Sequence, residues 1–133
     1  MTLASHFVLF VADQQRSAAF YEAVLGFPPR LHVPGMTEFD LPGGGVLGLM
    51  PERGIVRLLA GSALPDPARA RCGPRCELYL LGPAAPDLHA RALAAGAVEL
   101  SPAESRDWGH VVAYSLDPDG HVLACAASPG PGH

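Results

Sequence analysis

Residues 116–127 read LDPDGHVLACAA, a tight turn that runs into a short apolar strand. Asp117-Pro118-Asp119-Gly120 is turn chemistry: proline in the second place and glycine in the fourth suit a type I turn, and the Asp117 carboxylate can bond the turn's own backbone. The motif is therefore read as structural rather than as a catalytic acid. What decides the fold is an echo. DPDGHVLA (117–124) lies against LPGGGVLG (41–48) with Pro, Gly and Val-Leu in register.

The echo extends outward. HFVLFVA (6–12) is apolar and β-rich, and Asp13 is a good N-cap for the segment QQRSAAFYEAVLGF that follows. Phe20, Ala23/Val24 and Phe27 recur there at helical spacing, with Gly26 as the stop. Strands are expected near 30–33, 36–41 and 45–50, punctuated by Pro28-Pro29, Pro34-Gly35 and Pro42-Gly43-Gly44. The second half repeats the order. CELYLL (76–81) reads as a strand, APDLHARALAAGA (85–97) as a helix with Leu88 and Ala92 on one face and Gly96 as its stop. Strands are expected again near 97–100, 110–116 and 121–127. Gly26 and Gly96 stand seventy positions apart, and His6 and Glu77 seventy-one. The fold expected is α+β, two paired βαβββ modules at about 4–50 and 76–127 within a single domain 1–133. Residues 51–75, rich in Pro, Gly, Ala and Arg, form the crossover, and 128–133 a frayed tail.

Composition narrows the function classes. A chain of 133 residues, 49% hydrophobic with mean hydropathy +0.21, suits one globular domain. No apolar run approaches the ~18 residues of a membrane span. HFVLFVA lacks a basic leader and a small-residue cleavage site, so it reads as a strand and the expected location is cytoplasmic. Net charge is −4 and the nine basic residues are scattered arginines, which gives no cationic footprint for nucleic acid. Cys72 and Cys76 in CGPRC have a three-residue spacer, unlike zinc or thioredoxin sites, and free thiols are expected. GGG (43–45) lacks the lysine and helix of a phosphate loop, and no serine has a nucleophile-elbow context.

Strand alternation sorts the side chains. If Phe7, Leu9 and Val11 face the helix, then His6, Val8 and Phe10 face a concave side where two curled sheets would enclose a cleft. Leu78 and Leu80 likewise leave Glu77, Tyr79 and Leu81 for that side. In the last strand of each module Leu47, Leu49, Leu123 and Cys125 suit the core, which puts Val46, Gly48, Met50, Val122, Ala124 and Ala126 on the cleft.

These residues resemble the vicinal oxygen chelate superfamily, which includes glyoxalase I, bleomycin-resistance proteins, fosfomycin-resistance enzymes and extradiol dioxygenases. HFVLFVADQQRSAAFYEAVLGF, ARALAAGA and DWGHVVAYSLDPDGHVLACA carry the likeness in order; the crossover matches nothing in particular. The resemblance implies paired βαβββ modules around a cleft and, usually, a homodimer. In metal-using relatives each first strand and each last strand supplies a ligand. Those positions here are His6 and Glu77, then Gly48 and Ala124. Only two of the four carry a donor, so no metal or other cofactor is expected. A divalent ion held weakly by His6 and Glu77, with His110 or Glu38 swinging in, is the alternative.

His6 reads as a ligand, a general base or a pocket residue, or else as a strand-start histidine paired with the backbone or with Glu77. Glu77 in an apolar strand wants a partner, and His6 is the nearest match in chemistry; the two are the catalytic candidates. Val8, Phe10, Gly48, Met50, Tyr79, Trp108, His110, Tyr114 and Ala124 are the ligand-binding candidates, the aromatics being equally suited to core packing. His110 and His121 follow glycines and are read as solvent-exposed. The function expected is metal-independent binding or sequestration of a small organic molecule. A lyase, isomerase or dioxygenase-type enzyme using His6 and Glu77 is the second reading, and a partner-binding module with a self-filled cleft the third.

Overall fold

The two echoing stretches fold as the same hairpin. Leu41 N–H bonds Gly45 O at 2.7 Å and Gly44 N–H returns to Leu41 O at 3.1 Å; Asp117 N–H bonds His121 O at 2.9 Å and Gly120 N–H returns to Asp117 O at 3.1 Å. Both are three-residue loops closed by a glycine at positive φ, 111° for Gly44 and 85° for Gly120. In the second loop Asp117 adds side-chain bonds from Oδ1 to the N–H groups of Asp119 (2.8 Å) and His121 (2.9 Å). The turn reading of this motif is what the structure contains.

The computed structural model describes residues 4–70 and 73–129. Its elements are β1 (His6–Val11), α1 (Gln14–Leu25), β2 (Leu31–Val33), β3 (Met36–Asp40), β4 (Val46–Pro51), α2 (Glu52–Leu58), a 3-10 turn (Pro67–Ala70), β5 (Glu77–Leu81), α3 (Ala85–Ala94), β6 (Val98–Ser105), β7 (Val111–Leu116) and β8 (Val122–Ala127). They make two four-stranded mixed sheets, ordered β1-β4-β3-β2 and β5-β8-β7-β6. The registers repeat with the sequence: His6 pairs Val46 and Val8 pairs Gly48, as Glu77 pairs Val122 and Tyr79 pairs Ala124. The fold is the α+β pair of βαβββ modules that the repeat implies. The described chain clusters into two compact units, residues 4–22 with 26–70 and residues 23–25 with 73–129.

In the first unit α1 begins at Asp13, whose carboxylate accepts from Arg16 N–H at 3.0 Å, and ends at Gly26, φ 85°. Gln14 fastens it to the β2–β3 hairpin, donating to Val33 O (2.8 Å) and Thr37 Oγ1 (2.9 Å) and accepting from Gly35 N–H (3.0 Å). Leu9, Thr37, Phe39, Leu47 and Leu49 are buried on one face of the sheet, and Phe27 meets Phe39 edge to face. Phe7 keeps the expected face, as the register partner of Leu47, yet it is 59% exposed near the start of β1, an edge strand. The crossover is not featureless either: α2 packs beside β4 and β1.

In the second unit α3 closes with Gly96 at φ 105° and Ala97 N–H on Ala92 O (2.9 Å), a Schellman end. Residues 23–25 belong with this unit, where Arg91 donates to Val24 O at 3.1 and 2.8 Å. Leu123, Ala124, Cys125 and Ala126 are all buried, so β8 is covered on both faces. β6 runs to Ser105, beyond the expected 97–100, with register shifts on either side of Ser101. His121 is not exposed as expected. Asp117 holds its backbone and its Nδ1 lies 3.4 Å from Cys76 Sγ, leaving the ring 6% exposed. Cys76 and Cys125 are free thiols; Cys72 and the tail from 130 lie outside the described residues.

Candidate functional site

The sequence-derived candidates divide into two sets, one on each sheet. On the second sheet Tyr79 (β5) and Tyr114 (β7) are both register partners of Ala124 (β8), which lies between them. Alternation gives these three one face, together with Glu77, Val112 and Ala126. Val112, Ala124 and Ala126 form a buried cluster against which Tyr79 and Tyr114 pack. The small residue at 124 is what lets two tyrosines settle there.

Trp108 reaches this face from the β6–β7 hairpin. Arg106 N–H bonds His110 O at 2.8 Å and Gly109 N–H bonds Arg106 O at 3.1 Å, with Gly109 at φ 96°. This is the same three-residue loop as at 41–45 and 117–121, and it carries Trp108 at its tip. The indole Nε1–H donates to Tyr79 Oη at 2.9 Å, while 57% of Trp108 stays exposed. Tyr79 Oη also lies 2.6 Å from His110 Nδ1, with the two rings 5.8 Å apart. His110 is thus half-buried and bonded rather than free in solvent.

Arg106 fixes the neighbouring wall. Its guanidinium stands 5.0 Å over the Tyr114 ring and donates from Nη2 to Ser101 Oγ (2.7 Å) and Val112 O (2.9 Å), bridging β6 and β7 beside the irregular register of β6. No sequence pattern singled this residue out. Burial, chiefly, pushes the Tyr114 phenol up; Glu77 and Tyr79 add to the rise and Arg106 opposes it. The phenol is therefore neutral, and Glu77 makes itself felt on this face as its acid.

On the first sheet His6, Val8, Phe10, Gly48 and Met50 lie on β1 and β4, whose registers are given above. His6 Nδ1 is 3.5 Å from Glu38 Oε2, and Glu38 Oε1 accepts from Arg30 Nε at 3.0 Å. Arg30 also reaches Asp40 at 3.3 Å, and its guanidinium is held further in the charged form, mostly by the bond to Glu38. Glu38 is the register partner of Gly48, so the His6–Glu38 contact spans β4 beside a position that presents no side chain. The carboxylate beside His6 within its own unit is Glu38, which sequence reasoning considered only as a supplementary metal donor.

Two of the ligand positions that the resemblance implies are Gly48 and Ala124. A Cβ built on Gly48 would stand 3.0 Å from Val8 Cγ2 and 3.4 Å from Met36 Sδ. Ala124 is fully buried under its tyrosine neighbours. Neither position offers a donor or the space for one, and no three His, Cys, Asp or Glu among the described residues are grouped to hold an ion. The residues present do not fit the four-ligand site. Thiol chemistry is no better supported. Burial, then Asp117, raises the Cys76 thiol, and burial pushes Cys125 up to about 11, so both are protonated near neutrality. A separate groove of about 350 Å³ in the first unit, lined by Glu52, Arg53, Val56 and Arg57 of α2 with Asp66 and Ala68, contains none of the candidates.

Comparison with known proteins agrees with this architecture. The family model described as Glyoxalase/Bleomycin resistance protein/Dioxygenase superfamily matches residues 4–124. A glyoxalase-related enzyme from Fulvimarina pelagi has a similar structure at 25% identity and a TM-score of 0.78, over 97% of this chain and 90% of that one. A glyoxalase/bleomycin resistance protein/dioxygenase from Nocardioides is 22% identical, with a TM-score of 0.74 over 100% and 89% of the two chains. A family enzyme from Burkholderia phytofirmans PsJN is 23% identical, with a TM-score of 0.75 over 94% and 98%. No curated protein matches the chain.

Proposed function

The chain belongs to the glyoxalase/bleomycin resistance protein/dioxygenase superfamily, and from that premise we propose that it binds a small, partly apolar organic molecule without a resident metal. The observation that carries the reading is the group on the second sheet. Tyr79 and Tyr114 lie over a donor-free Ala124, with an exposed Trp108 hydrogen-bonded to Tyr79 at the rim. A planar apolar ligand would stack on the free face of the indole, the tyrosines would exclude water from its edge, and the few polar atoms would orient it. The protein works in this reading as a cytoplasmic homodimer that sequesters its ligand. Trp108 is the only tryptophan, so its fluorescence reports the site directly. Saturable quenching by small aromatic compounds, lost in Trp108→Ala, is the expected result. One equivalent of tightly held Ni, Zn, Mn or Fe per chain in purified protein would overturn it, and a monomer by light scattering would remove the dimer.

One observation favours a second reading. His6 has a carboxylate beside Nδ1, the arrangement that orients an imidazole for proton transfer from Nε2. An enzyme of the lyase, isomerase or dioxygenase type would then use His6 with Glu38. A turnover abolished by His6→Ala with the fold intact supports this reading, and unchanged turnover rejects it.

A further inference from the structure

We infer that Trp108, Tyr79 and His110 form a one-way hydrogen-bond chain ending in a donor, His110 Nε2–H, and that the ligand is a neutral planar molecule with a hydrogen-bond acceptor on its edge, such as a ring nitrogen or carbonyl oxygen. This rests on the reading that an aromatic ligand stacks on Trp108 and adds what that ligand must carry.

The direction follows from proton counting. An indole N–H only donates, so Tyr79 Oη accepts at 2.9 Å. A phenol has one proton, and among the described residues the other polar partner of Oη is His110 Nδ1, at 2.6 Å. If Nδ1 carried the imidazole proton, two donors would converge on one oxygen and the phenol proton would have no protein acceptor. With the phenol donating to Nδ1, the indole and phenol protons are both used and the bonds run head to tail, each polarising the next. The neutral imidazole then carries its proton on Nε2. That atom has no partner among the described residues. It is also absent from the buried unpartnered side-chain atoms, which are His89 Nδ1, Arg106 Nε, Ser115 Oγ and His121 Nε2. It therefore faces solvent as an unused donor beside the exposed indole.

The surrounding charges make the acceptor a neutral one. Glu77 shares the face with Tyr79 and Tyr114 and raises the Tyr114 phenol, so a second anion would be repelled. Arg106 offers an anion little compensation: it is bonded to Ser101, Val112 and Glu104 and stacked on Tyr114.

Quinoline and naphthalene, matched in size and differing by one ring nitrogen, test the assignment at neutral pH. The indole N–H resonance of Trp108 is unique in the chain and follows each titration. Quinoline is expected to bind roughly tenfold more tightly, the worth of about one hydrogen bond. His110→Phe should erase that preference, so that quinoline and naphthalene bind alike. Imidazole nitrogen shifts in the wild-type protein should put the neutral-ring proton of His110 on Nε2. Equal affinities in the wild type, a preference that survives His110→Phe, or a proton on Nδ1 overturns the inference and leaves the binding reading standing. If neither compound moves the resonance, both fall together.

Discussion

Gly48 and Ala124 hold the same place in their two sheets. Gly48 on β4 pairs with Val8 and Glu38, and Ala124 on β8 pairs with Tyr79 and Tyr114. A glycine and an alanine thus sit at matching positions of a repeat, and each lets larger neighbours lean over it. Smallness does not leave open space at either one. At Gly48 the volume goes to Val8 and Met36, at Ala124 to two tyrosines. A ligand of the second sheet would accordingly meet the tyrosines and Trp108 rather than the floor at 124.

Gly48→Ala is expected to destabilise the fold by about 1–3 kcal/mol through overpacking. The new methyl would lie 3.0 Å from Val8 Cγ2, and a β-branched side chain in a strand has little rotamer freedom with which to yield. Met36 is flexible and gives way more readily. In a Val8→Ala background the penalty should largely disappear, so urea denaturation of the four proteins in the cycle should reveal a coupling of that order. A neutral or stabilising Gly48→Ala in the wild-type background would contradict the packing.

Asp117→Ala should lower stability by about 1–3 kcal/mol without touching the aromatic site. The carboxylate is 5% exposed and takes two backbone N–H groups of its own turn, Asp119 and His121. Asp117→Asn keeps an acceptor oxygen and should lose less. Chemical denaturation gives the stabilities, and Trp108 emission in the folded state should be the same in all three proteins.

The repeat was legible because turn chemistry and Val-Leu pairs are local: Pro42 and Pro118, Gly44 and Gly120 announce the same loop before any tertiary contact forms. α2 was not. Its segment ERGIVRL carries a glycine and two β-branched residues after Pro51, a poor helix on propensity alone, and it rests beside β4 and β1. Period-2 alternation was enough to put Tyr79 and Ala124 on one face. It could not place Trp108, which arrives on a loop, nor tell that His110 would be taken up by Tyr79. Likewise Glu38 reaches His6 only because β3 lies next to β4, a neighbour relation that residue spacing does not encode. His89 on Glu99, at 2.8 Å, had no sequence signal at all.

Tyr79→Phe removes one oxygen and strands two partners, the Trp108 indole N–H and His110 Nδ1. Trp108 is exposed and His110 only half-buried, so the loss of stability should be modest, about 0.5–1.5 kcal/mol. The spectroscopic effect should be larger in proportion. The indole N–H should exchange faster with solvent and the tryptophan emission should shift to the red, as the hairpin loses its hydrogen bonds to Tyr79 of β5. An indole N–H as protected in the variant as in the wild type would show that Trp108 is held by something else.

Cys125 gives the pH dependence a sign. The thiol is 2% exposed, and burial pushes its pKa up from an ordinary 9.0 to about 11, with Arg91 only partly opposing. For a group charged when deprotonated, a raised folded pKa means that the native state keeps a proton the unfolded chain releases. Its contribution is therefore complete below the ordinary thiol pKa and is lost as pH rises through that value toward about 11. The loss has a limiting slope of about 1.4 kcal/mol per pH unit. Cys76 and Tyr114 are shifted in the same direction, so the wild type alone cannot isolate the term. The difference between wild type and Cys125→Ala can. Unfolding free energies from urea titrations at a series of alkaline pH values should fall more steeply for the wild type across that window, and the two curves should run parallel below it. Parallel curves throughout would mean that the Cys125 thiol titrates in the folded protein as it does in the unfolded chain.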